Sequence, residues 1–446
     1  MAQGKILRTF PNDPKPPGIE KGEGLYIYTD DGHKYLDLTS GFTGHSVLGW
    51  GNKRIIDSIN EQLNKIGHID YKMYSDPNRD KLAALLLDSA SHSLDRLFLC
   101  GGSGGEACEA AIHLSYQVHC ENGHPSKTHI ISRTQSYHGA TTDCMALGER
   151  PNLEFYRPLF PEKRSKVQEH NIYRHKYSNE TPEDYGSRCA LELESEILRI
   201  GPENVSSFVA ETIMGGLVGD VPPTSNYWPL VRKICDQYDV HLILDEVWCG
   251  CGVSGKNFCV DWDGITPDFI FLGKTLAGGY LPLSAVVTSS TVENIIKNGS
   301  GRLENSTTFQ GHSACVAAAI ACQEVINEKG FLDSVVVKGE KIRSDIMSVL
   351  SDHDFFLNVR GRGVRNTIEY QCEDQNLFGQ TVSQHLKENY NILVTGKWHR
   401  LSLSNAMTIS SGQIDYAINS VHESFKYIAS RWTTSFRASL SKTNFF

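Results

Sequence analysis

No run of the sequence approaches the ~20 consecutive apolar residues that a membrane-spanning helix requires, so no such helix is expected. Lysine and arginine form no basic stripe and the formal net charge is −9, which speaks against nucleic acid as a partner. Cysteine pairs at zinc-ligand spacing are missing. Cys249 and Cys251 stand close together without a second pair, and no metal site is expected. Internal repeats and low-complexity tracts are absent. The opening stretch MAQGKILRTFPNDPKPPG lacks the apolar core of a secretion signal. The 12 cysteines are scattered, several within apolar runs (Cys100, Cys108, Cys315, Cys322). Together these features predict reduced thiols and a cytoplasmic location.

What is present is ordinary for a soluble globular chain: 446 residues, 40% apolar and 21% charged. That length buries a large core without staples and allows two or three domains. Residues 1–24 are rich in Pro, Gly and charge and read as an irregular lead-in. GLYIYTDDGHKYLDL then alternates around Asp31-Gly32, a hairpin signal. KRIIDSINEQLNKI and DKLAALLLDSA carry apolar residues at helical spacing.

From about 95 to 290, short apolar runs alternate with helical stretches: RLFLCGG, THIISR, VSSFVAE, VHLILDE, DFIFLGK and LPLSAVVTS. Such uniformly apolar runs suit strands covered on both faces, and the alternation predicts an α/β fold with a mostly parallel sheet. Beyond about 325 the pattern is helix, short strands (FFLNVRGRGVRNTIEY, NILVTGKWHRLSLS), then a helix from Gln413 to Ala429, which suits a smaller α+β domain. The tail WTTSFRASLSKTNFF shows no period and is expected to be mobile.

Ligands of parallel sheets sit beyond the carboxyl ends of the strands. Four features fall there. In CGGSGGEACEAAIHLSYQ a glycine-rich turn, Gly101 to Gly105, opens into a helix. Such a start offers free amides and a positive dipole to a phosphate, although a plain flexible turn reads the same way. HLILDEVWCGCG delivers Asp245 to a strand end, where a pyridinium nitrogen, a helix cap or a salt bridge each gives the carboxylate a partner. In DFIFLGKTLAGGYLPLSA, Lys274 follows an apolar run and precedes Gly278-Gly279. Partly desolvated and near positive charge, such a lysine loses its proton easily and becomes a nucleophile; the bland alternative is a surface lysine. Thr307 and Thr308, in ENSTTFQGHSACVAAAIA, precede a small-residue helix as phosphate ligands or as caps.

The order SGG-EA-xEAA, YHG, strand-end Glu, LILDEV, LGKTLAGG and TTFQGH, from about residue 20 to 430, resembles the class III aminotransferases, fold-type I pyridoxal-phosphate enzymes. The resemblance implies a large cofactor-binding domain at 51–325, an N-terminal segment at 1–50 joining the small domain, and a C-terminal small domain at 326–446. It implies that Lys274 carries pyridoxal 5'-phosphate as a Schiff base and shuttles protons, and that Asp245 pairs with the pyridine nitrogen. Val247 and Tyr137 would cover the two ring faces. Gly104 and Gly105 would give amides to the phosphate. Thr308, with Thr307, would reach the phosphate of the neighbouring subunit in a homodimer with shared active sites. Arg400 stands where the family carries an arginine for the substrate carboxylate, though a strand salt bridge is the alternative. Glu211 matches a glutamate that pairs with that arginine in some members. The implied reaction moves an amino group from an amine or amino acid to a 2-oxo acid; a decarboxylase or aminomutase shares the same parts.

Some positions depart from the family. Trp248 stands where many members have Gln, and is expected to shape the pocket. Ala140 replaces an Arg found after YHG in members acting on γ-amino acids. Leu403-Ser404-Asn405 replaces the usual Pro-Pro. Phe42, Trp50, Tyr71 and Tyr74 either line a substrate entrance or pack the N-terminal segment.

Overall fold

The computed structural model describes residues 5–10, 12, 15–151 and 153–440. Its centre is a seven-stranded sheet in the order Arg96–Leu99, Ala285–Thr288, Phe269–Leu272, His241–Asp245, Val205–Glu211, His129–Arg133, Arg164–Val167. Ala285–Thr288 runs antiparallel to both neighbours, while the pairings from Phe269–Leu272 to Arg164–Val167 are parallel. Three inner strands, Val205–Glu211, Phe269–Leu272 and Ala285–Thr288, are buried at every position. That is why their sequences show no alternation of apolar and polar residues. Helices such as Gly104–Glu121, Pro182–Ile200 and Tyr227–Gln237 cover the sheet. The helix Ser313–Ile326 is almost wholly buried, and its run of alanines lets the helices Lys53–Lys65 and Pro77–Leu87 pack closely against it.

Two four-stranded sheets complete the molecule. The first holds the expected hairpin, Tyr26–Thr29 against Lys34–Asp37, turning at Gly32 with φ +84°. It also holds Ile19–Glu23, inside the segment read as irregular, and the distant Ile392–Leu393, which pairs in parallel with Lys34–Asp37. The second sheet is antiparallel and built from Phe356–Arg362, Arg365–Tyr370, Arg400–Ser404 and Thr395–Lys397. One hydrophobic core gathers Leu25, Leu36 and Leu38 from the N-terminal segment with Ile342, Phe378, Leu401 and Phe425 from the C-terminal part.

The tail differs from expectation. Thr434–Leu440 forms a helix rather than a mobile strand of chain. Trp432 anchors it, donating its indole N–H to the Glu373 carbonyl (2.8 Å) and packing edge-on against Phe378 (5.0 Å between centroids). Arg437 adds ion pairs to Glu373 and Asp374. Residues 441–446 of the tail, and 1–4, 11, 13 and 14 of the lead-in, lie outside the described residues. Among the described residues no helix is long and apolar enough to cross a membrane.

Candidate active site

Sheet register brings the chemistry together. Glu211 pairs with Asp245, and Asp245 with Phe271, so the ends of three adjacent parallel strands lie side by side, and Lys274 follows the third after Gly273. The backbone at Lys274 is left-handed, with φ +28°, a conformation that costs a side-chain-bearing residue energy and that concentrates at functional sites. A tight turn, Lys274–Ala277, follows, held by the Gln323 side-chain amide donating to the Leu276 carbonyl (3.0 Å). The Lys274 ammonium sits over the rings of Trp248 (5.1 Å) and Tyr137 (6.0 Å). Burial lowers its pKa and nearby Arg365 lowers it further, against the pull of Asp245 and Glu211. The amine is thus held toward its neutral, nucleophilic form.

Asp245 is buried and held on both oxygens. One accepts from the Val247 amide (2.9 Å), the other from His138 Nδ1 (2.8 Å). The far nitrogen of His138 is buried with no partner. His138 stands inside the YHG motif, where the sequence drew attention only to Tyr137; its part in orienting Asp245 appears only once the fold joins them.

Ser103 caps the helix Gly104–Glu121 in a reciprocal box with Glu106. That leaves the first-turn amides of Gly104 and Gly105 to an external anion. Gly104 faces Val247: a Cβ on it would lie 2.8 Å from a Val247 methyl carbon, and a Cβ on Gly273 would lie 3.3 Å from the Gly104 backbone. The glycine turn, Val247 and the strand leading to Lys274 therefore converge at one point. A glycine-lined anion cradle, a buried carboxylate on the adjacent strand, a half-desolvated lysine, and Val247 and Tyr137 near it together fit pyridoxal phosphate.

The remaining expected residues fall differently. Glu211 does not meet Arg400. Its carboxylate accepts from the Tyr137 amide (3.2 Å) and the Gly215 amide (2.9 Å), so it positions the Tyr137 segment. Burial raises its pKa. Arg400 is buried, and both of its terminal nitrogens donate to the carbonyls of Gly216 and Leu217. Burial lowers its pKa to about 10. Trp248 lies against the Lys274 ammonium, and its indole N–H donates to Asp220 (2.7 Å) and is not available to a ligand. Thr307 and Thr308 are exposed in the turn before the helix Ser313–Ile326, and the Thr308 carbonyl contacts His68 (2.8 Å). Phe42, Tyr71 and Tyr74 are also exposed, whereas Trp50 packs edge-on to His45 (6.0 Å). Asp220, His45 and Arg365 had no motif to announce them.

This arrangement is that of a fold-type I α/β enzyme of pyridoxal phosphate. Known proteins agree with this. The family described as aminotransferase class-III matches residues 11–425. An uncharacterized aminotransferase of Schizosaccharomyces pombe is 34% identical over 360 residues, covering 80% of this chain and 78% of the relative. Gamma aminobutyrate transaminase 2 of Solanum lycopersicum is 31% identical, covering 80% and 78%. The solved omega transaminase of Pseudomonas jessenii in complex with PMP superposes with TM-score 0.87 at 26% identity, covering 94% of this chain and 93% of that one. The chain belongs to the class III aminotransferases, enzymes of pyridoxal-phosphate-dependent transamination.

Proposed function

We propose that this enzyme moves an amino group from an amine or amino acid to a 2-oxo acid, using Lys274 and Asp245 at active sites shared across a homodimer in the cytoplasm. The observation that carries the reading is the register placing Glu211, Asp245 and Lys274 on adjacent strand ends, facing the start of the Gly104–Glu121 helix.

Each residue has a defined task. Gly104 and Gly105 hold the phosphate by backbone amides. Val247 and Tyr137 pack the ring faces. Asp245, locked by His138 and the Val247 amide, keeps a proton on the ring nitrogen. Pyridoxal phosphate, when bound, supplies a ring that accepts the electron pair left as the substrate's Cα–H bond ionises. Lys274 Nζ takes that proton and returns it, which its lowered pKa suits. Trp248 walls the pocket beside it.

The dimer reading draws on an apolar surface around the exposed threonines. Phe309 is 65% and Met73 75% exposed. Their segments are joined by the His68–Phe309 ring contact (5.8 Å) and by Lys72 donating to Ser306 (2.8 Å). Patches of this kind mark interfaces. The cytoplasmic reading draws on 12 free cysteines, most of them buried.

The test is a panel of amines, including ω-amino acids, with pyruvate and 2-oxoglutarate as acceptors. Ping-pong kinetics with a free oxo product supports the reading. Carbon dioxide release, or isomerisation of an amino acid with no acceptor present, contradicts it.

A further inference from the structure

Three arginines lie buried around the loop that follows Glu211, and they are not equivalent. Arg360 donates Nε to the Gly219 carbonyl (2.7 Å) and Nη2 to the Val218 carbonyl (2.9 Å), and pairs Nη1 with Glu369. Arg400 gives both terminal nitrogens to Gly216 and Leu217. Both clamp loop 216–219: the terminal nitrogens of Arg400 are spent there, with only its Nε buried and unpartnered, and Arg360 is further tied to Glu369.

Arg365 is different. It opens the strand Arg365–Tyr370 and is 1% exposed. Its guanidinium stacks on the Trp248 ring at 4.3 Å. Nε donates to the Trp248 carbonyl (3.3 Å), and Nη2 donates to the Gly44 carbonyl. Nη1 is buried with no partner. The two oxygens of Asp220, an acidic group whose field reaches it, are already taken by the Trp248 indole (2.7 Å) and the Thr367 hydroxyl (2.8 Å). A buried cation without its own anion is costly, and burial lowers the pKa of Arg365 to about 10. Stacking on the indole and the bonds from Nε and Nη2 fix the guanidinium plane, so the unpartnered Nη1 is held in place as a charged donor for a carboxylate oxygen.

The surroundings are electropositive. Lys274 lies 5.1 Å from the same indole ring. His45, from the neighbouring N-terminal segment, is held low in pKa by burial and by Lys274 and Arg365, against Asp37. At Gly44 the missing side chain matters: a Cβ there would lie 2.5 Å from the Trp248 ring edge and 3.1 Å from Arg365 Nη1. The bare backbone leaves the indole edge and the free nitrogen meeting at one point.

We propose that Arg365, rather than Arg400, takes the carboxylate of the 2-oxo acid acceptor through Nη1, with Trp248 fixing the guanidinium plane and Arg400 acting as a loop clamp. This rests on the transaminase reading above and assigns its acceptor subsite. The bound carboxylate neutralises the charge that Arg365 places beside Lys274.

The experiment compares holoenzyme variants on pyruvate and on a small aldehyde acceptor that lacks a carboxylate, and measures binding of propionate, which cannot react, by calorimetry. Arg365→Met keeps apolar contact with Trp248 and removes the charge. Its loss of kcat/KM on pyruvate is expected to exceed its loss on the aldehyde by about 30-fold or more, carried mainly by KM. Propionate binding to it is expected to vanish. Arg365→Lys, which keeps the charge and loses the planar fork, is expected to show about a tenfold selective loss. A wild-type preference for pyruvate in either variant overturns the proposal; where Arg365→Met fails to fold, the lysine variant decides alone. A selective loss in Arg400→Met instead of Arg365→Met also overturns it. Wild-type enzyme that transaminates no oxo acid refutes the reaction, while propionate calorimetry still reads the Arg365 site.

Discussion

Lys274 carries two costs that a structural lysine would not. Its backbone is left-handed, and its ammonium sits desolvated beside Arg365. Its folded pKa lies below the ordinary lysine value of 10.5, so the fold disfavours the charged form. That penalty is present at neutral pH and fades as pH rises to the unfolded value. Lys274→Met is therefore expected to abolish cofactor attachment while raising the thermal midpoint of the cofactor-free protein at pH 7, by roughly 1 °C or more. The gain should shrink toward pH 10.5; calorimetry across that range checks it, and a midpoint that falls on substitution contradicts it. At this scale the sequence was partly legible. Lys274, Asp245, Val247 and Tyr137 stand at or near strand ends within readable motifs. His138, Asp220 and Arg365 were not legible, because their meaning comes from partners far along the chain: His138 acts through Asp245, and Arg365 through Gly44 and Trp248. Arg400 and Glu211 likewise meet backbone groups rather than each other, partners that no local pattern encodes.

Among the elements, the helix Gly104–Glu121 joins the glycine turn to the core. Its inner face, Ala107, Ala111 and Leu114, is buried, and its first residue touches the valine that follows Asp245. Gly104→Val would force side chains into Val247, the nearest contact being 2.8 Å from the first added carbon. We expect at least a tenfold loss of affinity for pyridoxal phosphate with the helix content intact, read by cofactor titration alongside circular dichroism. Unchanged affinity would remove Gly104 from the cradle. Strands with uniform apolar runs were readable. Arg164–Val167 was not, because an edge strand with the sequence RSKV carries no apolar signature. The helix Thr434–Leu440 escaped notice because its order comes from Trp432 and Arg437 docking on another element, not from its own periodicity.

Across the whole molecule, the α/β class followed from alternating runs, yet the way the N-terminal hairpin joins the C-terminal strands did not. Ile392–Leu393 pairs with Lys34–Asp37 across more than 350 residues of chain, and no local pattern encodes that. The exposed surface around Met73, Thr307, Thr308 and Phe309 is where a second copy is expected. Sedimentation should give twice the chain mass of 49.6 kDa, and Phe309→Asp should shift the protein toward monomer and weaken cofactor binding with it. A monomer that binds cofactor fully would contradict shared sites. The expectations about cofactor and reaction depend on Lys274 carrying pyridoxal phosphate. The direct measurement is borohydride reduction of the holoenzyme, followed by peptide mass spectrometry. A pyridoxyl adduct is expected on Lys274 and absent in Lys274→Ala; an adduct on another lysine, or none at all, would rule out Lys274 as the cofactor's lysine.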